Sequence, residues 1–134
     1  MRLFGVLVVV SVAGVASAQA PPECVGGGVP SNPTRVCFIA SEDHDDVDSY
    51  ALDLYAAGGA LVQTIDMGLP LPVTTANGER WVSWGDLNVM PVVFGQYFAR
   101  ARAIAAGVSG ESSEDSNLFD RVPGRPASVG LVDD

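Results

Sequence analysis

Tyr97-Phe-Ala-Arg-Ala-Arg-Ala-Ile-Ala-Ala-Gly-Val-Ser-Gly-Glu-Ser-Ser113 alternates strictly for its first nine residues and then turns. Ala99, Ala101, Ala103 and Ala105 fall on one face, and Phe98, Arg100, Arg102 and Ile104 on the other, the period of two expected for a strand. Gly107, Ser109 and Gly110 supply the turn. A helix over residues 91–106 is the competing assignment, because Ala and Arg are good helix formers. Gly95 and the β-branched pair Val92-Val93 weigh against it. The strand reading makes this an all-β chain.

Neighbouring segments agree. Arg35–Ala40 is β-rich and ends at an acidic loop, and Ser49–Tyr55 alternates with Tyr50, Leu52 and Leu54 on one face. Ala56-Ala-Gly-Gly59 turns the chain, and Ala60–Asp66 returns as a hairpin partner. Gly68–Gly78 is turn-rich, with Pro70 and Pro72. Glu79–Leu87 carries both tryptophans and reads as another strand, and Asn117–Val122 reads as the last one before Pro123. Pro21–Pro33 reads as extended and irregular apart from a short edge strand. Five to seven short strands separated by Gly, Pro and Asp turns predict an antiparallel sandwich.

The first 18 residues stand apart. Arg2 is a short positive region, Leu3–Val15 an apolar run, and Ala16-Ser17-Ala18 a cleavage pattern of secretory signal peptides. The run is too short to span a bilayer by itself, and a retained signal anchor is the alternative. Cleavage after Ala18 leaves Gln19–Asp134, 116 residues, enough for one domain. The expected organisation is a signal peptide at 1–18, a sandwich at 19–122 and a tail at 123–134, with a secreted, periplasmic or extracellular address. No second apolar run is long enough for a membrane span.

All sixteen acidic residues follow the leader and face six arginines, a net charge of −10 without the leader. That charge repels phosphates and anionic lipid, which argues against nucleic acid and membrane surfaces as partners. Cys24 and Cys37 are an even pair, close in sequence, and in an oxidising compartment form one disulfide; free thiols are the alternative. A lone Cys pair with one distant His cannot complete a zinc site.

Phe38-Ile-Ala-Ser-Glu-Asp43 followed by Val47-Asp-Ser-Tyr50 is similar to the Trp-x-Ala-Ser-x-Asp…Val-x-x-Tyr run of the fibronectin type III family. Tyr97-x-x-x-Ala101-x-Ala103, with Gly107 and Ser109, resembles that family's Tyr-x-x-x-Val-x-Ala…Gly-x-Ser. The resemblance is to the form found in secreted bacterial proteins and covers roughly residues 22–122. It implies an antiparallel immunoglobulin-like sandwich of about seven strands, with Phe38 on strand B, Tyr50 leading into strand C and Tyr97 opening strand F.

This chain departs from the pattern at three points. Phe38 replaces a tryptophan, Ala101 replaces a valine, and the family's Leu before the strand-F Tyr has no clear counterpart. Trp81 or Trp84 is expected to refill the core, and the four alanines of strand F need a large neighbour. Strand F has no cysteine for the inter-sheet disulfide of immunoglobulin domains. With Phe38 pointing inward, Cys37 points outward, so a Cys24–Cys37 bond ties the lead-in to the outer face of strand B. Val-Pro-x-x-Pro-x-x-Val also occurs twice, at Val29–Val36 and Val122–Val129, 93 residues apart. The tail therefore reads as the start of a second such unit, or as a similar Pro-rich border.

Two segments are candidate sites. Glu42, Asp43, Asp45, Asp46 and Asp48 crowd one loop with the only histidine, His44, and clustered carboxylates can hold calcium. The loop lacks the Gly and closing Glu of an EF-hand, so a solvated loop is the plainer reading, and no other cofactor is implied. Arg100, Arg102 and Phe98 share the outer face of strand F, and Tyr55 and Asp53 project from its expected neighbour, strand C. Cross-strand ion pairs are the simpler role for these residues. A partner-binding face is the functional one, because Arg, Tyr and Phe are enriched at interface centres.

No G-x-S-x-G accompanies His44, and one loop of carboxylates offers no cleft for a glycosidase pair. The expected function is therefore that of a secreted, non-catalytic binding or structural module contacting protein or carbohydrate. The second reading is a calcium-dependent extracellular adhesion module using residues 42–48.

Overall fold

Alternation and turn chemistry along this chain produce short antiparallel strands. The computed structural model describes residues 8–9, 20–89 and 92–133. Among them the strands are β1 (Val8–Val9), β2 (Val36–Ile39), β3 (Ser49–Ala56), β4 (Leu61–Gly68), β5 (Val73–Thr74), β6 (Arg80–Trp84), β7 (Gly95–Ala105), β8 (Val108–Ser109) and β9 (Phe119–Arg121). One sheet runs β1-β2-β6-β5, and the other runs β4-β3-β7-β8 with β9 also on β7. No helix among the described residues is long and apolar enough to cross a membrane. The cleavage pattern at Ala16–Ala18 lies outside the described residues.

The two sheets face one another across one apolar core, a sandwich-like arrangement. Val36, Phe38 and Val82 enter it from the first sheet, and Tyr50, Leu52, Leu54, Tyr97, Ala99, Ala101 and Phe119 from the second. The β3–β7 register sets Tyr50 beside Ala103, Leu52 beside Ala101 and Leu54 beside Ala99. Ala99, Ala101 and Ala103 thus each have a large neighbour on β3, whereas Ala105 lies beyond that pairing and is opposite Val108 of β8. Trp84 packs against this core, whereas Trp81 does not. Trp81 is buried on the opposite face of its sheet, against Cys24 and Cys37.

The disulfide forms as expected, Cys24 to Cys37, with Cα atoms 5.7 Å apart. The lead-in builds no strand beside β2; it makes a short 3-10 turn at Pro22–Cys24 and then crosses to the other sheet. There Ser31 bridges Asp120 in parallel, and the Asn32 side chain bonds both backbone groups of Val122 at 3.0 Å.

Three local devices hold β7. First, the Tyr97 hydroxyl donates to the carbonyl of Val93, four residues upstream, which closes the connection entering the strand. Leu87, Val89 and Val92 of that connection are buried in the core, so the strand expected over 79–87 stops at Trp84 and its last residues pack as loop. Second, β7 and β8 are joined by Ala106-Gly107, both with positive φ (52° and 77°), the two-residue hairpin that matches strand twist. Third, between β8 and β9 the chain follows β7 without forming a ladder. Ser113 and Ser116 donate their amides to Ala101 and Ala99 carbonyls, and their hydroxyls accept from the amides of the same two residues at 2.9 and 2.8 Å.

These devices yield two expected outcomes. Ser113→Ala or Ser116→Ala leaves a buried amide without an acceptor and should cost about 1–3 kcal/mol each in chemical denaturation. Ala106→Asn relieves an alanine held in the left-handed region and should raise stability by about 1 kcal/mol, read as a higher melting temperature.

Candidate functional site

The outer face of the β4-β3-β7 sheet carries the densest polar and aromatic arrangement. The register aligns Tyr55 with Phe98, Asp53 with Arg100 and Ala51 with Arg102. Tyr55 and Phe98 stack with ring centroids 5.3 Å apart and planes 9° apart. The Arg100 guanidinium lies 4.9 Å from the centre of the Tyr55 ring and 5.5 Å from that of Phe98, within cation–π range. Its Nε donates to Asp115 Oδ1 at 2.6 Å. The bond to Asp115 raises the Arg100 pKa above its ordinary value.

Arg102 is used differently. Its Nε donates to Asp53 Oδ2 at 2.9 Å, and Nη1 donates to Ser109 Oγ at 3.0 Å. Asp53, expected to project outward beside Tyr55, is only 4% exposed. It is tolerated because Arg102 pairs with it and Thr64 Oγ1 donates to it at 2.7 Å. This knot ties β3, β4, β7 and β8 together.

Of the four candidate binding residues, Tyr55, Phe98 and Arg100 therefore form one stack, and Arg102 turns to a structural ion pair. Phe98 lies on the expected face but is only 8% exposed. Asp115, Thr64 and Ser109 complete the site; nothing in the sequence marked Asp115 or Thr64, and Ser109 read as a turn residue. Asp115 sits in a Ser/Glu-rich stretch that has no strand periodicity of its own.

The acidic loop disperses its carboxylates. His44–Asp46 forms a 3-10 turn. Asp45 pairs with Arg80 at 2.9 Å, and Asp48 Oδ2 accepts the Ala106 amide at 2.7 Å, fastening the loop to the β7–β8 hairpin. Glu42, Asp43 and Asp46 join neither contact. Among the described residues no three His, Cys, Asp or Glu side chains are grouped so as to hold a metal ion.

His44 turns inward rather than toward the carboxylates. It is 6% exposed, stacks on Tyr50 at 5.7 Å between centroids, and its Nδ1 is 2.8 Å from the Tyr50 hydroxyl. That hydroxyl also accepts the Ser41 amide at 3.1 Å. With the Ser41 amide on one lone pair, the tyrosine proton can point at Nδ1 of a neutral imidazole. Burial, and next the positive charge of Arg80, depress the His44 pKa, with Asp45 opposing. Burial raises that of Tyr50. This pair anchors the loop to the core.

No protein-family model, curated protein or solved structure matches the chain.

Because the folded state holds His44 below the usual histidine range, the unfolded chain takes up the proton first as pH falls. The His44 contribution is present above the unfolded value and is lost on acidification through it toward the folded value. Stability should therefore decline as pH falls through about 6.5, the ordinary histidine value that the unfolded chain keeps. In His44→Asn, whose side-chain oxygen can still accept from Tyr50, that slope should disappear; melting curves above and below that pH measure both.

Proposed function

We propose that this chain is a secreted, fibronectin type III-like module that acts by contact, binding protein or carbohydrate through the outer face of the β4-β3-β7 sheet. The family reading is supported by the Tyr97 hydroxyl closing back on Val93, the corner that opens strand F in immunoglobulin-like sandwiches. The parallel bridge Ser31–Asp120 and the buried position of Phe38 agree with it. In this reading β2 is strand B, β3 is C, β6 is E and β7 is F, with β8 and β9 as the two ends of an interrupted strand G. The disulfide fits an oxidising compartment and hence the secretory leader at 1–18.

The stack of Arg100 on Tyr55 and Phe98 carries the functional reading. The half-buried Tyr55 ring, backed by the buried Phe98, and a guanidinium held by Asp115 make a preorganised surface with little side-chain entropy left to lose on binding. An aromatic ring of this kind stacks on sugar faces or peptide side chains, and Arg100 retains donors for a carboxylate or carbonyl. Contact through such a surface involves no covalent step.

Screening the exported protein against a panel of glycans and extracellular matrix proteins tests this. A ligand found in this way should bind at least about tenfold more weakly to Tyr55→Ala and Arg100→Ala, the loss typical of central interface residues. The melting temperatures of both variants should stay near that of the unaltered protein. A ligand held with undiminished affinity by both would place binding elsewhere.

A further inference from the structure

The free edge of β2 has an occupant that the processed chain would lose. Val8–Val9 pairs antiparallel with β2, Val8 opposite Phe38 and Val9 opposite Cys37, and closes that side of the first sheet. Both residues belong to the leader. The lead-in that follows cleavage does not replace them, since it turns at Pro22–Cys24 and crosses to Asp120 on the other sheet. Removal of residues 1–18 thus leaves the backbone groups of a strand beside the disulfide without partners. An open strand edge is a template for another strand.

The chain also carries a segment suited to that edge and unused in its own fold. Residues 122–133 form no strand, and Val129, Leu131 and Val132 are 89%, 96% and 87% exposed. Three such side chains in four residues are costly in water unless something covers them. The sequence leading to them repeats the sequence leading to β2. Val122-Pro-x-x-Pro-x-x-Val129 matches Val29-Pro-x-x-Pro-x-x-Val36, so Val129-Gly-Leu-Val132 stands where Val36-Cys-Phe-Ile39 stands in β2.

We infer that, in the processed protein, residues 128–132 of one copy add as an antiparallel strand to the β2 edge of a second copy, in the place that Val8–Val9 takes in the unprocessed chain. The donor is another copy because of direction. Val122 is bonded to Asn32, just before the start of β2, so its own tail, continuing along β2, would run parallel to it. The seat is used antiparallel. Edge of one copy to tail of the next is a heterologous contact, which joins copies into a ring or an open series, and leader removal is its trigger. The inference rests on the leader reading and is independent of the Tyr55–Arg100 face.

The test is to express the full chain in an exporting host, purify the exported protein, weigh it, and measure its molar mass by light scattering over a wide concentration range. The expected result is a mass of residues 19–134 and a series of oligomers that grows with concentration. Leu131→Asp and Gly130→Pro, which place a charge or remove a ladder donor in the donated strand, should be monomeric with unchanged melting temperatures. A synthetic peptide of residues 126–134 should disperse the oligomers, and the same peptide carrying Leu131→Asp should not. A cleaved protein that stays monomeric throughout, or variants that associate as fully as the unaltered protein, would overturn the inference and leave the leader reading intact. A mass that retains the leader would overturn the leader reading and, with the edge still covered, this inference as well.

Discussion

The eight-residue pairing of β3 with β7, Ser49 opposite Ile104 through Ala56 opposite Tyr97, is the constraint on which the rest depends. It is continuous, and it sets both faces of the sheet at once. On the inside it matches Tyr50, Leu52 and Leu54 with three alanines. On the outside it brings Tyr55 to Phe98 and sets Asp53 within reach of Arg102. A slip of one residue would turn the apolar set outward and bury Arg100 and Arg102. Core packing and outer-face chemistry are thus one decision, made by a single register.

What surrounds this pair protects its edges. On the β7 side, the Ser113 and Ser116 hydroxyls stand in for backbone carbonyls where the neighbouring chain cannot keep a ladder. On the β3 side, β4 completes the sheet, and the Asp53–Thr64 bond fastens it. Asp48 locks the acidic loop to the β7–β8 hairpin, and His44 with Tyr50 locks the same loop to the core. The charge of that loop is spent on attachment as well as on solubility. The disulfide does comparable work on the other sheet, with Trp81 as its apolar cover.

The parts legible in sequence were those with period-two patterning. Ser49–Tyr55 and Tyr97–Ala105 announced their strands and their inward faces, and the outward position of Cys37 followed from the inward position of Phe38. Two-residue strands such as Val73–Thr74 and Val108–Ser109 are too short to show a period. Ser113 and Ser116 could not be read because a hydroxyl that replaces a carbonyl has no compositional mark in a Ser/Glu-rich stretch. Trp81 and Trp84 were alternatives for refilling the core, and parity along β6 gives the core face to Trp84 and puts Trp81 over the sulfurs. At the site, the Tyr55, Phe98 and Arg100 grouping followed from alternation. The burial of Asp53 did not, since it depends on Thr64, directly opposite on β4, and on Arg102, a diagonal neighbour on β7.

The register itself is open to direct measurement by interstrand nuclear Overhauser contacts in the folded protein. The account predicts contacts that link Leu52 with Ala101, Leu54 with Ala99 and Ala56 with Tyr97. Contacts displaced by one residue, such as Ala101 with Ala51 or Asp53, would contradict it, and with it the arrangement of both the core and the outer face.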